Sequence, residues 1–283
     1  MIVKEKIGGL FFDLIKGDCL QEMQNIPNKS IDAIICDLPY GTTQNKWDSV
    51  IDLDLLWEQY NRVIKDNGAI VLFSAQPFTS ALVMSNPKMF KYEWVWNKVV
   101  PTGHLNAKRQ PMRLHENICV FYKKQCTYNR QMTDKPKEYQ RPNREQVKDA
   151  FYETKNYGDA KRGFAEDSDH TKTNPKTIIE ISNGNGYSKK GNHPTQKPEN
   201  LIAYLIKTYT NEGDTVLDNT MGSGTTGVCC KVMRRNFIGI ELDENWFRVA
   251  QKRIKGTETN LNSFEKTEER GLFSFTDDTQ KAD

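Results

Sequence analysis

Asp37-Leu38-Pro39-Tyr40-Gly41 sets a carboxylate, a proline-restricted peptide and an aromatic ring side by side, directly after the apolar run Ile31 to Cys36. That grouping suits chemistry on an amino group attached to an aromatic ring. Such an amine is a poor nucleophile because its lone pair is delocalised, and acceptors on both N–H bonds redirect that pair. The Asp37 carboxylate supplies one acceptor and the Leu38 carbonyl a second, while Pro39 limits the conformations of Leu38 and stiffens the turn. Tyr40 offers a face on which a flat ring can stack. Taken alone, the tetrapeptide is also an ordinary strand-to-loop turn.

A second segment, Asp218-Asn219-Thr220-Met221-Gly222-Ser223-Gly224-Thr225-Thr226-Gly227, lies between an apolar strand and a helix. Glycines there permit a tight turn and let a nucleoside approach the backbone. Glu241, at the end of the next strand, is placed to accept two hydrogen bonds from a ribose diol. Gly222, Gly224 and Gly227 also fit the Gly-x-Gly-x-x-Gly pattern, so a nicotinamide or flavin site and a plain packing turn are the alternatives. Asp218 separates them, because a carboxylate at the loop mouth repels a pyrophosphate and suits an ammonium. S-adenosylmethionine has a nucleoside and an ammonium but no phosphate.

Both segments need a scaffold that brings them to one edge. Apolar runs of strand length predict strands over Leu10 to Lys16, Ser30 to Cys36, Ala69 to Phe73, Tyr92 to Trp96, Ile118 to Tyr122, Thr215 to Leu217 and Phe237 to Ile240. Helical spacing predicts Leu20 to Ile26, Asp52 to Lys65 stopped by Asn67-Gly68, Pro77 to Met84, Pro198 to Tyr209, Thr225 to Met233 and Glu244 to Ile254. This alternation is the pattern of an α/β sheet covered by helices. At 283 residues the chain has room for a catalytic domain, 1–123 with 191–283, and an insertion over 124–190, where polar, basic and tyrosine-rich sequence breaks the periodicity. After about residue 256 a loosely held tail is expected.

Composition narrows the classes further. No run approaches the roughly 18 apolar residues of a membrane span. The six cysteines include no Cys-x-x-Cys pair and read as reduced thiols of a cytoplasmic protein, and the four histidines have no ligand spacing, so no metal is expected. A net charge of +3 leaves attraction to nucleic acid to local clusters of Lys and Arg.

Five segments in order, Gly17-Asp18-Cys19, Asp37 to Tyr40, Arg113-x-His115-Glu116, His193-Pro194-Thr195-Gln196-Lys197-Pro198 and Asp218 to Thr226, resemble the amino-methyltransferases of DNA. The resemblance is to the permuted β-type group, in which the catalytic turn precedes the cofactor loop, and it covers nearly the whole chain. It implies a Rossmann-like S-adenosylmethionine-dependent fold with a mostly parallel central sheet and an inserted target-recognition region. It also implies a catalytic set of Asp37, Leu38, Pro39 and Tyr40. The cofactor set would be Asp18, Cys19, Thr195, Lys197, Asp218, Gly222, Ser223, Gly224, Thr225, Thr226 and Glu241. The substrate would be double-stranded DNA, methylated on adenine N6 after the base is flipped out. A homodimer and a cognate restriction endonuclease are partners that the resemblance leaves open.

Two positions depart from the family pattern. Leu38 stands where a second proline is usual, and Asn219-Thr220 where Pro-Phe is usual, so a less rigid turn and a weaker cofactor site are expected. His115 and Glu116 read as structural groups beside a buried strand, and Trp94, Trp96 and Lys98, although similar to a Trp-x-Lys element of the family, are assigned no role. Lys135, Tyr139, Arg141, Arg144 and Tyr152 give the insertion charge and stacking surface. Cytosine N4 as target, a DNA-binding regulator without turnover, a dinucleotide-dependent oxidoreductase, and methyl transfer to RNA or protein remain the competing readings.

Overall fold

The computed structural model describes residues 1–41, 50–135, 171–183 and 196–257. The chain opens with the antiparallel hairpin β1 (Ile2–Ile7) and β2 (Leu10–Lys16), followed by α1 (Cys19–Met23), β3 (Ile31–Asp37), α2 (Leu53–Val63), β4 (Ile64–Ser74) and α3 (Phe78–Ser85). Next come β5 (Phe90–Thr102), β6 (Arg113–Phe121), the short strands β7 (Thr133–Asp134) and β8 (Lys172–Thr173), and β9 (Ile178–Glu180). The last part is α4 (Glu199–Tyr209), β10 (Thr215–Asp218), α5 (Thr225–Val232), β11 (Asn236–Glu241) and α6 (Glu244–Gly256).

Among the described residues nine strands form one sheet in the order β1-β2-β11-β10-β3-β4-β6-β5-β9, in which β1 and β6 run against the rest. The mostly parallel α/β architecture expected from the sequence is therefore the one observed. Alternation along each strand sorts its side chains onto two faces. On β4, Ala69, Val71 and Phe73 join a core with α4, α5 and α6, whereas Ile70 and Leu72 join a core with α1, α2 and α3. Two covered faces explain why these strands read as continuous apolar runs.

Strand order reverses direction between β10 and β3. From β10 the chain crosses by α5 to β11 on one side, and from β3 it crosses by α2 to β4 on the other. The carboxyl ends of β10 and β3 flank this crevice, the place where open α/β sheets bind ligands.

Several elements differ from expectation. No strand was predicted over Ile2–Ile7, whose residues are all half-buried or exposed and carry Lys4, Glu5 and Lys6, so edge pairing left no apolar pattern to read. Asn67-Gly68 does not stop α2, which ends at Val63. Gly68 lies inside β4, where a Cβ would come within 2.8 Å of the Asp32 carbonyl oxygen and where the register with β3 shifts.

Two compact units are present, Met1–Asn129 with Thr177–Asp283, and Arg130–Lys176. The segment expected as an insertion, 124–190, contains the smaller unit, and residues toward both of its ends are bonded to elements of the larger one. β9 pairs in parallel with β5, and Asn129 donates from Nδ2 to the carbonyls of Lys207 and Thr210. In the smaller unit β7 pairs with β8, and Arg130 donates to the Asn174 side chain. Tyr139, Arg141, Arg144 and Tyr152, and the tail beyond Thr257, lie outside the described residues. Trp94 and Trp96 are core residues, with indole N–H groups donating to the Tyr209 hydroxyl and the Ile181 carbonyl. All six cysteines are buried and unpaired, and among the described residues no helix is long and apolar enough to cross a membrane.

The start of α5 packs closely on α6. Gly224, at φ +78°, would place a Cβ 2.8 Å from the Ala250 Cβ, while Gly222, at φ +51°, has no atom within 4 Å of that place. Gly224→Ala is expected to cost about 2 kcal/mol or more, strain and overlap adding, and Gly222→Ala about 1 kcal/mol from strain alone. Urea unfolding of the two variants checks the order, and equal losses would contradict the packing role given to Gly224.

Candidate active site

Asp37 is the last residue of β3, so its side chain stands at the carboxyl edge of the sheet. Three contacts fix it. The Tyr40 hydroxyl donates to Oδ1 at 2.7 Å, the Lys197 ammonium to Oδ2 at 2.7 Å, and the Thr220 hydroxyl to the backbone carbonyl at 2.9 Å. The Asp37 side chain retains 31% exposure, which leaves it open to a substrate. Leu38 turns its side chain into the core, and Tyr40 lies against Phe78 with ring centroids 5.4 Å apart and planes inclined by 24°. The Tyr40 hydroxyl is held far above its ordinary pKa, first by burial and then by the adjacent Asp37, so it remains a donor.

Lys197 sits in a cage. Its ammonium is 5.3 Å from the Phe73 ring centroid and 5.7 Å from that of Tyr40, and its second acidic neighbour, Glu116 Oε2, is 3.4 Å away. The other Glu116 oxygen meets Lys98 at 3.3 Å. Burial works to lower the Lys197 pKa, but Asp37 and Glu116 outweigh it and leave the pKa raised. Burial likewise works to raise Glu116, and Lys197 with Lys98 overcomes it. Two carboxylates and two ammonium groups therefore form a balanced cluster drawn from β3, β5, β6 and the segment before α4. Glu116 Oε2 is buried and lacks hydrogen-bond geometry to any described partner, although it lies within ion-pair distance of Lys197.

The glycine loop follows β10. Burial pushes the Asp218 carboxyl up to about 7, and it is engaged within the loop by the Thr226 hydroxyl at 2.6 Å and the Thr220 amide at 3.2 Å. Glu241, at the end of β11, accepts the Gly222 and Asp243 amides, and burial raises its pKa as well. Gly17 closes the same edge by donating its amide to the Glu241 carbonyl at 3.0 Å. Arg253 of α6 fastens the loop from behind, donating to Ser223 and Thr225 while also pairing with Glu199 at 2.8 Å.

Asp18, Asp37, Asp218, Gly222 and Glu241 thus lie at the carboxyl ends of four adjacent strands, β2, β11, β10 and β3. The open face above Gly222, with the half-buried Glu241 beside it, fits a nucleoside carrying a ribose diol. Asp18 caps α1 by accepting the Gln21 amide, and the Cys19 side chain is buried in the core, which leaves backbone as its means of contact. Thr225 and Thr226 are buried and shape the loop itself. Ser223 donates to the Gln196 side chain. Lys197, expected at the cofactor, is placed on Asp37, and Thr195 lies outside the described residues. Glu116, Lys98 and Arg253 were not expected in the site. The Arg-x-His-Glu and Trp-x-Lys spacings marked the first two, whereas Arg253 looked like any basic residue in a last helical turn.

The chain is 27% identical to type II methyltransferase M.HinfI of Haemophilus influenzae, covering 93% of this chain and 74% of that protein. It is also 27% identical to DNA adenine methyltransferase YhdJ of Escherichia coli (strain K12), covering 85% and 82%. The crystal structure of the M1.HpyAVI–SAM complex superposes with a TM-score of 0.57 at 26% identity, covering 86% of this chain and 98% of that one. The DNA methylase family model matches residues 31–252. That match runs from the first residue of β3 into α6 and takes in both the Asp37 turn and the glycine loop, so the chain belongs to the N6/N4 DNA methylase family.

Proposed function

We propose that this chain transfers a methyl group from S-adenosylmethionine to the N6 amine of adenine in double-stranded DNA. The base would be turned out of the duplex onto the exposed side of the Asp37 carboxylate. The observation that carries this reading is the 2.9 Å bond from the Thr220 hydroxyl to the Asp37 carbonyl, which joins the glycine loop to the catalytic turn across the crevice. Adenine is preferred to cytosine N4 because residue 37 is aspartate, where the resemblance gives serine more often for cytosine, and because YhdJ is named an adenine methyltransferase.

When bound, S-adenosylmethionine supplies a methyl carbon already activated by a sulfonium. The protein's residues then position the amine. Tyr40 and Lys197 fix the Asp37 carboxylate, whose remaining lone pairs accept one N–H of the base, while the Leu38 carbonyl accepts the other. The new C–N bond would replace the methyl carbon's bond to sulfur, which would leave as a neutral thioether, so the nitrogen must lose one proton, and Asp37, bonded to that N–H, is the residue placed to receive it. Tyr40, backed by Phe78, supplies the stacking face that offsets part of the cost of unstacking. Asp218 and Glu241 take the ammonium and the ribose. The insertion over 124–190 is assigned to target recognition, and the six reduced thiols suit work in the cytoplasm.

The two departures from the family pattern compensate one another. Leucine at 38 gives up the rigidity of a proline ring, but threonine at 220, where phenylalanine is usual, supplies a hydroxyl that grips the turn one residue earlier. Buried leucine in turn adds an apolar side chain to the core.

Asp37→Ala is expected to lower methyl transfer at least about a hundredfold, the scale of losing one strong polar contact to the reacting group. Cofactor binding should persist, and digestion of the labelled product to nucleosides identifies the base. Retained activity removes Asp37 from its role. Thr220→Val should lower kcat, with partial recovery when Leu38→Pro is added. If the two effects simply add, Thr220 is not compensating for Leu38.

Asp218 links binding to pH. Its pKa of about 7 is above that of an ordinary carboxyl, so between about pH 4 and 7 the folded chain binds more protons than the unfolded one, and stability falls as pH rises through that window. An ammonium prefers the ionised form, so binding releases the proton. S-adenosylmethionine affinity is expected to rise as pH rises toward 7, by up to about tenfold per unit, and then to level off. Calorimetry on Asp218→Asn should give a flat profile, and an equally sloped one would show that another group carries the ammonium.

A further inference from the structure

Away from the Asp37 site, the segment joining β5 to β6 is the longest exposed run among the described residues of the larger unit. Residues 102–111 are exposed without interruption, and Leu105 is fully exposed. The loop nevertheless has defined structure. Gly103 at φ +96° starts a single 3-10 turn over His104–Asn106, and the Asn106 carbonyl accepts the amides of Arg109 and Gln110 at 2.8 and 3.0 Å. At its base the Thr102 hydroxyl donates to the Arg113 carbonyl, and the Arg113 guanidinium donates to the Gln76 carbonyl just beyond β4.

Its charge is one-sided. From Asn97 to His115 there is no acidic residue, against Lys98, Lys108, Arg109 and Arg113. Lys98 is buried and paired with Glu116, so the outward charge belongs to Lys108, Arg109 and Arg113. Neither Lys108 nor Arg109 has an acidic partner among the described residues. Exposed Val99, Val100, Leu105 and Leu114 accompany them and give the hairpin an apolar component as well.

Position then decides what such a surface can meet. β5 runs parallel to β3, so its Thr102 end lies at the same sheet edge as Asp37. The order β3-β4-β6-β5 sets β5 three strand spacings, roughly 14 Å, to the side of β3, and because Asp37 is level with Phe73, Ile118 and Trp94 whereas Thr102 pairs with Arg113, the hairpin also stands about five residues, roughly 17 Å, beyond Asp37 along the strands. The hairpin thus projects past the carboxyl edge at which Asp37 stands, and since a DNA strand advances about 3.4 Å per nucleotide, duplex several nucleotides from one held at Asp37 passes within its reach. With a net charge of only +3, the chain needs such a local cluster to hold a polyanion.

We infer that the β5–β6 hairpin is a clamp for duplex DNA, in which Lys108 and Arg109, with Arg113 at the base, contact phosphates flanking the nucleotide that enters the Asp37 site. The inference rests on the proposed function and adds a DNA contact separate from the target-recognition segment. Phosphate contacts of this kind set register and affinity without reading sequence. The exposed apolar residues would lie against the sugar and base edges of the groove.

The test uses the full chain and a mixed-sequence DNA duplex, with fluorescence anisotropy measured over a range of salt concentrations. Lys108→Ala with Arg109→Ala should weaken binding and reduce the slope of log K against log salt by about 1.8, that is, about 0.9 for each phosphate no longer neutralised. S-adenosylmethionine binding should be unchanged, and Lys108→Arg should keep the slope. If the unsubstituted chain methylates DNA while the double variant keeps its slope, the clamp is overturned and the enzymatic reading stands. A changed sedimentation coefficient with an unchanged slope would mark the hairpin as a protein contact and also overturn it. If the unsubstituted chain neither binds nor methylates DNA, both readings fall together.

Discussion

A carboxylate that must accept a hydrogen bond from a substrate has to be charged, correctly turned and still partly open, and burial works against the first of these. At Asp37 the conflict is met by Lys197, which is itself nearly buried and would be costly alone. Glu116 offsets the excess on Lys197 and Lys98 offsets that on Glu116, so the cluster closes at zero net charge. A buried ion pair adds little net stability compared with apolar packing. Its effect here is geometric, because four side chains from four separate elements can be satisfied together only when those elements are in register. The Asp37 turn, the β5–β6 pair and the segment leading into α4 are tied to one another through these charges.

The second constraint is topological. The crevice exists because the chain leaves β10 and β3 toward opposite faces, and both chemical segments begin at the last residues of those strands. Each is strengthened by contacts within its own turn and by the Thr220 hydroxyl, which meets both the Asp37 carbonyl and the Cys36 thiol across the gap. Glycine has two different uses in the loop, giving an open left-handed position at Gly222 and a close approach to α6 at Gly224. The carboxylates of Asp218 and Glu241 hold backbone amides and hydroxyls in place, so the loop's shape does not depend on a ligand to define it.

Much of this was legible in the residues. Strands covered on both faces read clearly because their apolar runs are continuous, and both turns were found because their chemistry is local to a few neighbouring positions. What stayed hidden depends on partners far away in sequence. Glu116 was set aside as structural because nothing near it shows that Lys197 lies across the sheet. Arg253 gave no sign of its grip on Ser223 and Thr225. Leu38 looked like a loss of rigidity because Thr220, the residue that offsets it, is encoded at the other end of the chain. The edge strand β1 escaped because one-sided pairing with little burial leaves no hydrophobic signature, and Asn67-Gly68 misled because a close backbone approach inside a strand uses the same residue that ends a helix.

The placement of β10 and β11 also bears on how the chain matures on the ribosome. β2 and β3 never pair with each other, and the two strands that fill the gap between them are among the last elements synthesised. Until then the amino-terminal hairpin and the sheet containing β3 each present a bare, apolar edge, the kind of edge that invites association with other nascent chains. The permuted order of the two motifs therefore brings a period of vulnerability during translation, which ends only when the strand before the glycine loop slots into the middle of the sheet.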